Sequence, residues 1–314
     1  MSLEIRAIGP EAAGDVLAVV RAAFAARPVL DPPADALAET EESIAAMLGP
    51  GGGLLVLDGA RPVGTVVLDP VGDAIYLRRF GVDPGAQGRG IARSLVREAL
   101  AEAGRRAAAA GPGDDAPLRL VILARQELPR TMRFWRDMGF VETERRAPYV
   151  EMARPVPTMV QVPSAEDMRE LGKRLSGHLR SGDVLVLSGE LGAGKTTFTQ
   201  GLGEGLGVRG GVTSPTFVIA RVHPSLGDGP ALVHVDAYRL GGQAELDDLD
   251  LDTDLDEAVT VVEWGTGLAE GLADSRLEVR IARATARTDV DPDADPRVVE
   301  VDPVGLRWLG VDLR

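Results

Sequence analysis

Residues 188–203 read SGELGAGKTTFTQGLG. From Gly189 to Thr196 this stretch satisfies the pattern of a glycine, four residues, then Gly-Lys-Thr. Glycines at 189, 192 and 194 let backbone N–H groups turn inward around phosphate oxygens. The run before the loop, DVLVLSG (183–189), reads as a buried strand, and the residues after it read as a helix whose N-terminus faces the same phosphates. The expected nucleotide cradle is Gly189, Glu190, Leu191, Gly192, Ala193, Gly194, Lys195, Thr196 and Thr197. Lys195 is expected to neutralise the β- and γ-phosphates and the Thr196 hydroxyl to ligate Mg2+. Of the 34 lysines and arginines only two, Lys173 and Lys195, are lysines, so the one at the loop is expected to be required for its chemistry.

Two hydrophobic runs end in carboxylates, ALVHVD at Asp236 and VTVVE at Glu263. Either acid is expected beside the phosphates, holding Mg2+ or orienting the attacking water. A guanine site usually needs an Asn-Lys-x-Asp element, and the chain contains no asparagine, so ATP is the expected nucleotide.

The loop lies past the middle of 314 residues, a length that points to two domains. Charge divides the chain the same way. Residues 1–155 hold 19 Lys+Arg and 21 Asp+Glu, a net of −2, and residues 156–314 hold 15 and 27, a net of −12. An acidic second half repels a phosphate backbone, which argues against unaided nucleic-acid binding and suits either a basic partner or simple solubility. Cysteine is absent, which excludes thiolate catalysis and Cys-based zinc sites. The three histidines, 178, 223 and 234, do not make a convincing metal site. No apolar run approaches a membrane span, and MSLEIRAIGPE lacks the signal-peptide pattern, so a cytoplasmic protein with no membrane partner is expected.

In the first half, patterning predicts strands at 3–9, 53–69 (a hairpin turning at Asp58-Gly59), 74–82 and 118–124, with closing strands in FVETE and YVEMAR. Helices are predicted over 12–24, 34–48, 89–110 and 130–138. This is an α+β domain over 1–154, and the proline-rich RPVPTMVQVPS holds a linker at 155–158. From 159 to 314 the pattern restarts as an α/β domain. Its helices are expected at 165–180, after the loop, and at 266–273. Its strands are expected at the start, at 183–189, near 216–222, 231–236 and 258–263, and at 276–283 and 297–302. Ligands belong at the strands' C-terminal ends.

Four stretches occur in order: GELGAGKTTFTQG (189–201), TSPTF (213–217), HVDAYRL (234–240) and VVEWG (261–265). Together they resemble the bacterial ATPase subunit of the tRNA threonylcarbamoyladenosine machinery, the TsaE family, over roughly 158–314. The resemblance implies a P-loop NTPase fold and a weak ATPase that joins the other protein subunits of that complex. Through them it supports modification of tRNA adenosine beside the anticodon. It implies Lys195, Asp236 and Glu263 as catalytic residues, with Thr196 and Glu263 on Mg2+ and Asp236 near it. Thr216 would sit in a mobile switch near the γ-phosphate, Trp264 beside the site, and Arg297, in DPRVVE, close to the nucleotide. The family usually writes aspartate where this chain has Glu190.

Two acidic stretches are expected to be structural. ELDDLDLDTDLDE (245–257) reads as a solvated loop rather than a docking surface. DVDPDADPRVVE (289–300) has acids at calcium-loop spacing, but Ala294 replaces the turn glycine and prolines interrupt it, so an acidic hairpin turn is expected.

In the first half, Gln87-Gly-Arg-Gly-Ile-Ala92 follows a strand and opens a helix, and RFWRDMGFVE (133–142) comes forty residues later. The pair resembles the GNAT family of acetyl-CoA-dependent N-acetyltransferases. The resemblance implies direct attack of an amine on the thioester, with an acceptor that the sequence does not identify. Val82 would hydrogen-bond the pantetheine arm through its backbone. Amides of Gln87, Gly88, Arg89, Gly90, Ile91 and Ala92 would hold the pyrophosphate, with charge added by Arg89. Many relatives place a tyrosine acid where Trp135 stands; Tyr149 is the nearby replacement, with packing its expected role. The expected function is thus a fusion of the tRNA-modification ATPase with an acetyltransferase. The alternatives are a small-molecule kinase with a ligand-binding first domain, and the same ATPase with a catalytically inactive, CoA- or partner-binding GNAT domain.

Overall fold

The computed structural model describes residues 3–110, 116–215, 218–239, 256–267, 271–283 and 296–314. The chain divides into two compact units, Met1–Val156 and Pro157–Arg314.

The first unit runs β1 (Leu3–Ile8), α1 (Ala13–Ala25), α2 (Glu41–Gly51), β2 (Gly53–Asp58), β3 (Arg61–Val71), β4 (Ala74–Val82), α3 (Ile91–Ala109), β5 (Arg119–Arg125), α4 (Pro129–Asp137), β6 (Val141–Arg146) and β7 (Tyr149–Pro155). They form one sheet in the order β1-β2-β3-β4-β5-β7-β6. On one face Val16, Val20, Ile44 and Leu48 of α1 and α2 bury Leu55, Leu57 and Val67. On the other, Leu95 and Val96 of α3 and Trp135 of α4 pack over Ile75, Leu120, Ile122 and Met152. The helix expected over 34–48 begins only at Glu41. Thr40 is extended, and its hydroxyl accepts the Ser43 N–H while the Thr40 N–H donates to Ser43 Oγ. That reciprocal cap marks the start, and Asp35–Leu37 is only a 3-10 turn.

β4 and β5 are parallel but pair only at Ala74–Tyr76 with Arg119–Val121. β4 continues to Val82, and β5 continues to Arg125 with β7 paired along its other side. A gap therefore opens between the C-terminal halves of these two central strands. A register shift against β3 lies in the same part of β4, where Arg79 takes φ +51.

The second unit runs β8 (Thr158–Val162), α5 (Ala165–Ser176), β9 (Val184–Ser188), α6 (Lys195–Leu206), β10 (Ala220–His223), β11 (Ala231–Asp236), β12 (Ala258–Glu263), β13 (Arg276–Arg283) and β14 (Arg297–Val304). The sheet order is β10-β11-β12-β9-β13-β14-β8. β9 is central and parallel to both neighbours, β12 and β13. Its Leu185 and Leu187 join one core cluster and its Val184 and Val186 the opposite one, which explains its unbroken apolar run. α5 and α6 lie against each other through glycines. A Cβ on Gly201 would stand 2.0 Å from the Arg169 carbonyl oxygen.

Several boundaries differ from the sequence reading. α5 stops at Ser176, with Gly177 at its end, rather than near 180. β10 starts at Ala220, because Val218 and Ile219 both donate to the Pro215 carbonyl in a turn that sets Ile219 at φ +68. Of the helix expected at 266–273, residues 268–270 lie outside the described residues, and 266–267 and 271–273 form turns and irregular chain instead of helix, with Gly267 at φ +82. Among the described residues no helix is long and apolar enough to cross a membrane.

Candidate functional site

β9 delivers the chain into the glycine loop at the C-terminal edge of the sheet. Gly189, Gly192 and Gly194 take φ of +149, +77 and +109, angles that residues with a Cβ rarely adopt. α6 begins at Lys195 with no side-chain cap. Its N-cap is Gly194, which has no side chain to offer, and a helix start of this kind suits an anion. Leu191 is exposed at the loop, Ala193 is buried, and Thr196 and Thr197 lie in the first turn of α6. Arg297, the first residue of β14, donates from Nε to the Ala193 carbonyl at 3.2 Å and approaches the Gly192 carbonyl at 3.5 Å. It therefore braces the loop from the neighbouring part of the sheet.

Lys195 is 5% exposed. Its Nζ donates to the carbonyls of Gly189 (2.9 Å) and Glu190 (3.1 Å) and lies 3.8 Å from the Trp264 ring centroid. Burial pushes its pKa down, and the Glu263 and Asp236 carboxylates push it back up. Trp264 itself takes φ +62 and meets the exposed Tyr238, ring centroids 5.3 Å apart.

The two acids stand side by side. β11 and β12 are parallel and in register at Asp236 and Glu263, and Glu263 is opposite Leu187 of β9. Both are buried. Asp236 Oδ1 accepts the Tyr238 N–H at 3.0 Å. Glu263 Oε1 accepts the Thr196 hydroxyl at 3.0 Å and lies 2.9 Å from His234 Nε2.

This donor set fits Mg2+. A hydroxyl and a carboxylate oxygen meet directly, and hard oxygen ligands are what that ion takes. Lys195, Asp236 and Glu263 also sum to a formal charge of −1, which a cation complements. Among the described residues no three His, Asp or Glu side chains gather into a metal cage. Mg2+ needs none, because it usually keeps waters and substrate phosphates as its other ligands.

The fold thus gathers Gly189–Thr197, Asp236, Glu263, Trp264 and Arg297. Thr216 lies outside the described residues, as do 245–255 of the acidic run and 289–295 of the aspartate-rich stretch. His234, which composition does not mark as a metal ligand, is the functional residue the motifs leave unassigned. Its alternation with Asp236 in HVDAYRL, which puts both on one face of a strand, was the available signal.

In the first unit the turn from β4 to α3 carries the other glycine pair. Gly88 and Gly90 take φ +78 and +79, and Gly90 is the N-cap of α3, again with no side-chain cap. Ile91 is buried in the core, so only its backbone is left for a ligand, while Val82 is half-buried at the open end of β4. The Arg89 guanidinium is paired with Asp58 at 2.6 Å. Trp135 is 5% exposed, with Phe80, Phe134 and Phe140 ring centroids 5.0, 5.1 and 4.9 Å from its own. The Tyr149 ring lies under the Arg125 guanidinium at 5.3 Å. Arg125 also donates to the carbonyls of Asp31 and Pro32 and so fastens the loop between α1 and α2.

The family model described as threonylcarbamoyl adenosine biosynthesis protein TsaE matches residues 162–290, and that of the acetyltransferase (GNAT) domain matches 50–142. The tRNA threonylcarbamoyladenosine biosynthesis protein TsaE of Streptomyces coelicolor is 63% identical over 147 residues, which are 46% of this chain and 97% of that relative. Among solved structures, Bacillus subtilis YdiB is 33% identical, with a TM-score of 0.38 over 48% of this chain and 88% of that one. The ribosomal-protein-S18-alanine N-acetyltransferase of Escherichia coli is 17% identical, with a TM-score of 0.40 over 49% of this chain and 94% of that one.

Proposed function

The chain belongs, through its second unit, to the TsaE family of tRNA threonylcarbamoyladenosine biosynthesis proteins, and from that membership we propose that it hydrolyses ATP in the machinery that modifies tRNA adenosine beside the anticodon. The first unit is a GNAT domain, so the chain is a fusion. In our reading the first unit is an acetyltransferase domain and the second the ATPase domain; the linker expected at 155–158 shrinks to Val156–Pro157, because Pro155 ends β7 and Thr158 begins β8.

The observation that carries the ATPase reading is the meeting of Thr196 Oγ1 with Glu263 Oε1 at the mouth of the glycine loop. Loop amides and the start of α6 hold the phosphates. Lys195 exchanges its contacts with Gly189 and Glu190 for the β- and γ-phosphate oxygens. Thr196 and Glu263 would hold Mg2+, which supplies positive charge to the same oxygens. Asp236 orients the water, whose oxygen bonds to the γ-phosphorus as the bond to the β,γ-bridging oxygen breaks. By its place in TSPTF we assign Thr216 a role toward the γ-phosphate. The other protein subunits of the machinery are the partners, and tRNA is reached through them, because a half-chain of net charge −12 repels its backbone. The protein works in the cytoplasm.

In the first unit we assign acetyl-CoA to the gap between β4 and β5. The pantetheine arm lies along the backbone near Val82, and the pyrophosphate on the amides of 87–92. The acceptor amine attacks the thioester carbonyl, the C–S bond breaks, coenzyme A leaves as thiolate, and the proton lost from the nitrogen passes to solvent. A specific observation favours a second reading of this unit. Trp135, which carries no O–H, stands where many relatives place the tyrosine acid, and it packs among three phenylalanine rings. A unit that binds CoA or a partner without transferring acetyl fits that packing.

Two assays of the full chain test these readings. Phosphate release should depend on Mg2+, be slow alone and rise with the partner subunits; fast turnover indifferent to them counts against the tRNA-modification reading. Acetyl transfer to a panel of amines and protein N-termini, read by mass spectrometry, supports the acetyltransferase. Tight acetyl-CoA binding with no acetylated product selects the non-catalytic reading.

A further inference from the structure

His234 sits on β11, two residues before Asp236, and is fully buried. Its Nε2 lies 2.9 Å from the same Glu263 oxygen that accepts the Thr196 hydroxyl. A carboxylate only accepts, so Nε2 carries the proton in this contact. The other ring nitrogen, Nδ1, is buried with no hydrogen-bond partner among the described residues. A proton on Nδ1 would be a desolvated donor with nothing to meet, whereas a bare nitrogen costs less. The two observations together describe a neutral ring with its single N–H aimed at Glu263.

We propose that His234 is the positioning residue of the cation site. Its Nε2–H holds the Glu263 carboxylate against the Thr196 hydroxyl, so that the two oxygen ligands are assembled before Mg2+ arrives. The inference rests on the ATP·Mg2+ reading above. Glu263 has a flexible side chain, and a single contact would let it swing. The Thr196 contact is the one that must loosen when its hydroxyl turns to the ion, so the His234 contact is the one that persists. His234 can serve as a fixed anchor because its strand is paired on both sides, with Arg221 of β10 and Val261 of β12 opposite it. Asp236 is held differently, by the Tyr238 N–H that follows it in the chain.

Hydrogen-bond partners of a metal ligand typically contribute about 10–100-fold to metal affinity. The test uses the full chain with His234→Leu, which removes the donor, and His234→Gln, whose amide Nε2–H reaches a similar place. Calorimetry gives ADP affinity in EDTA, then Mg2+ affinity of the ADP complex, with circular dichroism to check folding. His234→Leu should bind ADP in EDTA as wild type does and lose about 10–100-fold in Mg2+ affinity, and His234→Gln should recover most of it. A folded His234→Leu with wild-type Mg2+ affinity overturns the inference. Wild-type protein whose nucleotide complex takes up no Mg2+ would instead overturn the reading on which it rests. If His234→Leu does not fold, nitrogen NMR of 15N-histidine in the wild type decides, since the chain has only three histidines. A protonated Nε2 whose signal shifts when Mg2+ joins the ADP complex supports the role. An unprotonated or unmoved Nε2 refutes it.

Discussion

The ammonium of Lys195 lies 3.8 Å from the ring centroid of Trp264 while it donates to the carbonyls of Gly189 and Glu190. The one lysine of the glycine loop is therefore held in place by the loop itself and by an aromatic face, ready to exchange those contacts for phosphate oxygens. Lys195→Ala removes that charge, and phosphate release should fall on the order of a hundredfold or more. Acetyl-CoA affinity, measured by calorimetry, should not change. A folded variant that loses both would refute the two-ligand reading.

Glu263 and Asp236 are neighbours across parallel strands, and Glu263 accepts the Thr196 hydroxyl. Glu263→Gln should raise the Mg2+ needed for turnover far more than it weakens nucleotide docking, which relies on loop amides and Lys195. Asp236→Asn should lower turnover at saturating Mg2+. ATPase titrations against Mg2+, with nucleotide affinity measured separately, distinguish the two. If Asp236→Asn needs much more Mg2+ and Glu263→Gln does not, the acids exchange roles.

Gly90 offers a clean perturbation of the first unit. It takes φ +79, and no atom stands within 4 Å of where a Cβ would be. Gly90→Ala therefore introduces only backbone strain of about 1–2 kcal/mol. Gly90→Glu adds a carboxylate at a helix N-terminus expected to hold pyrophosphate. Acetyl-CoA affinity should drop about tenfold more in Gly90→Glu than in Gly90→Ala, with ATP binding intact in both. Equal affinities in the two variants would show that the glycines form only a turn.

His223 gives the second unit an acid-sensitive point. Burial pushes its imidazole below the ordinary value of 6.5, and the Arg221 guanidinium pushes the same way. Its Nε2 is buried with no hydrogen-bond partner among the described residues. On acidification the unfolded chain takes up this proton first. The stabilising contribution is therefore complete above about pH 6.5 and is lost as pH falls through the lower folded value. Urea midpoints at about pH 7.5 and about pH 5.5 should separate more in wild type than in His223→Leu. An equal separation in both proteins would remove His223 from the acid response.

The glycine loop was legible in the sequence because its chemistry demands a local spacing. Gly189, Gly192, Gly194, Lys195 and Thr196 lie within one turn and the start of one helix, so no long-range folding is needed to recognise them. The apolar runs ending at Asp236 and Glu263 were legible for a similar reason: a strand buried on both faces leaves an unbroken hydrophobic signature. Element edges were less so. The cap at Thr40 and the turn at Pro215 depend on individual side-chain and backbone hydrogen bonds that periodicity does not report.

What the sequence left open was which strand lies beside which. Asp236 and Glu263 become neighbours only because β11 and β12 pair parallel and in register, 27 positions apart in the chain. The same pairing brings His234 to Glu263 and turns a histidine without an evident role into the second holder of that carboxylate. In the first unit, the pattern predicted β4 and β5 but not their separation after Tyr76 and Val121, nor the pairing of Arg89 with Asp58. These relationships arise from sheet register and burial, which are settled by all the strands together. A local motif states which groups are present; the register of a sheet determines which of them can touch.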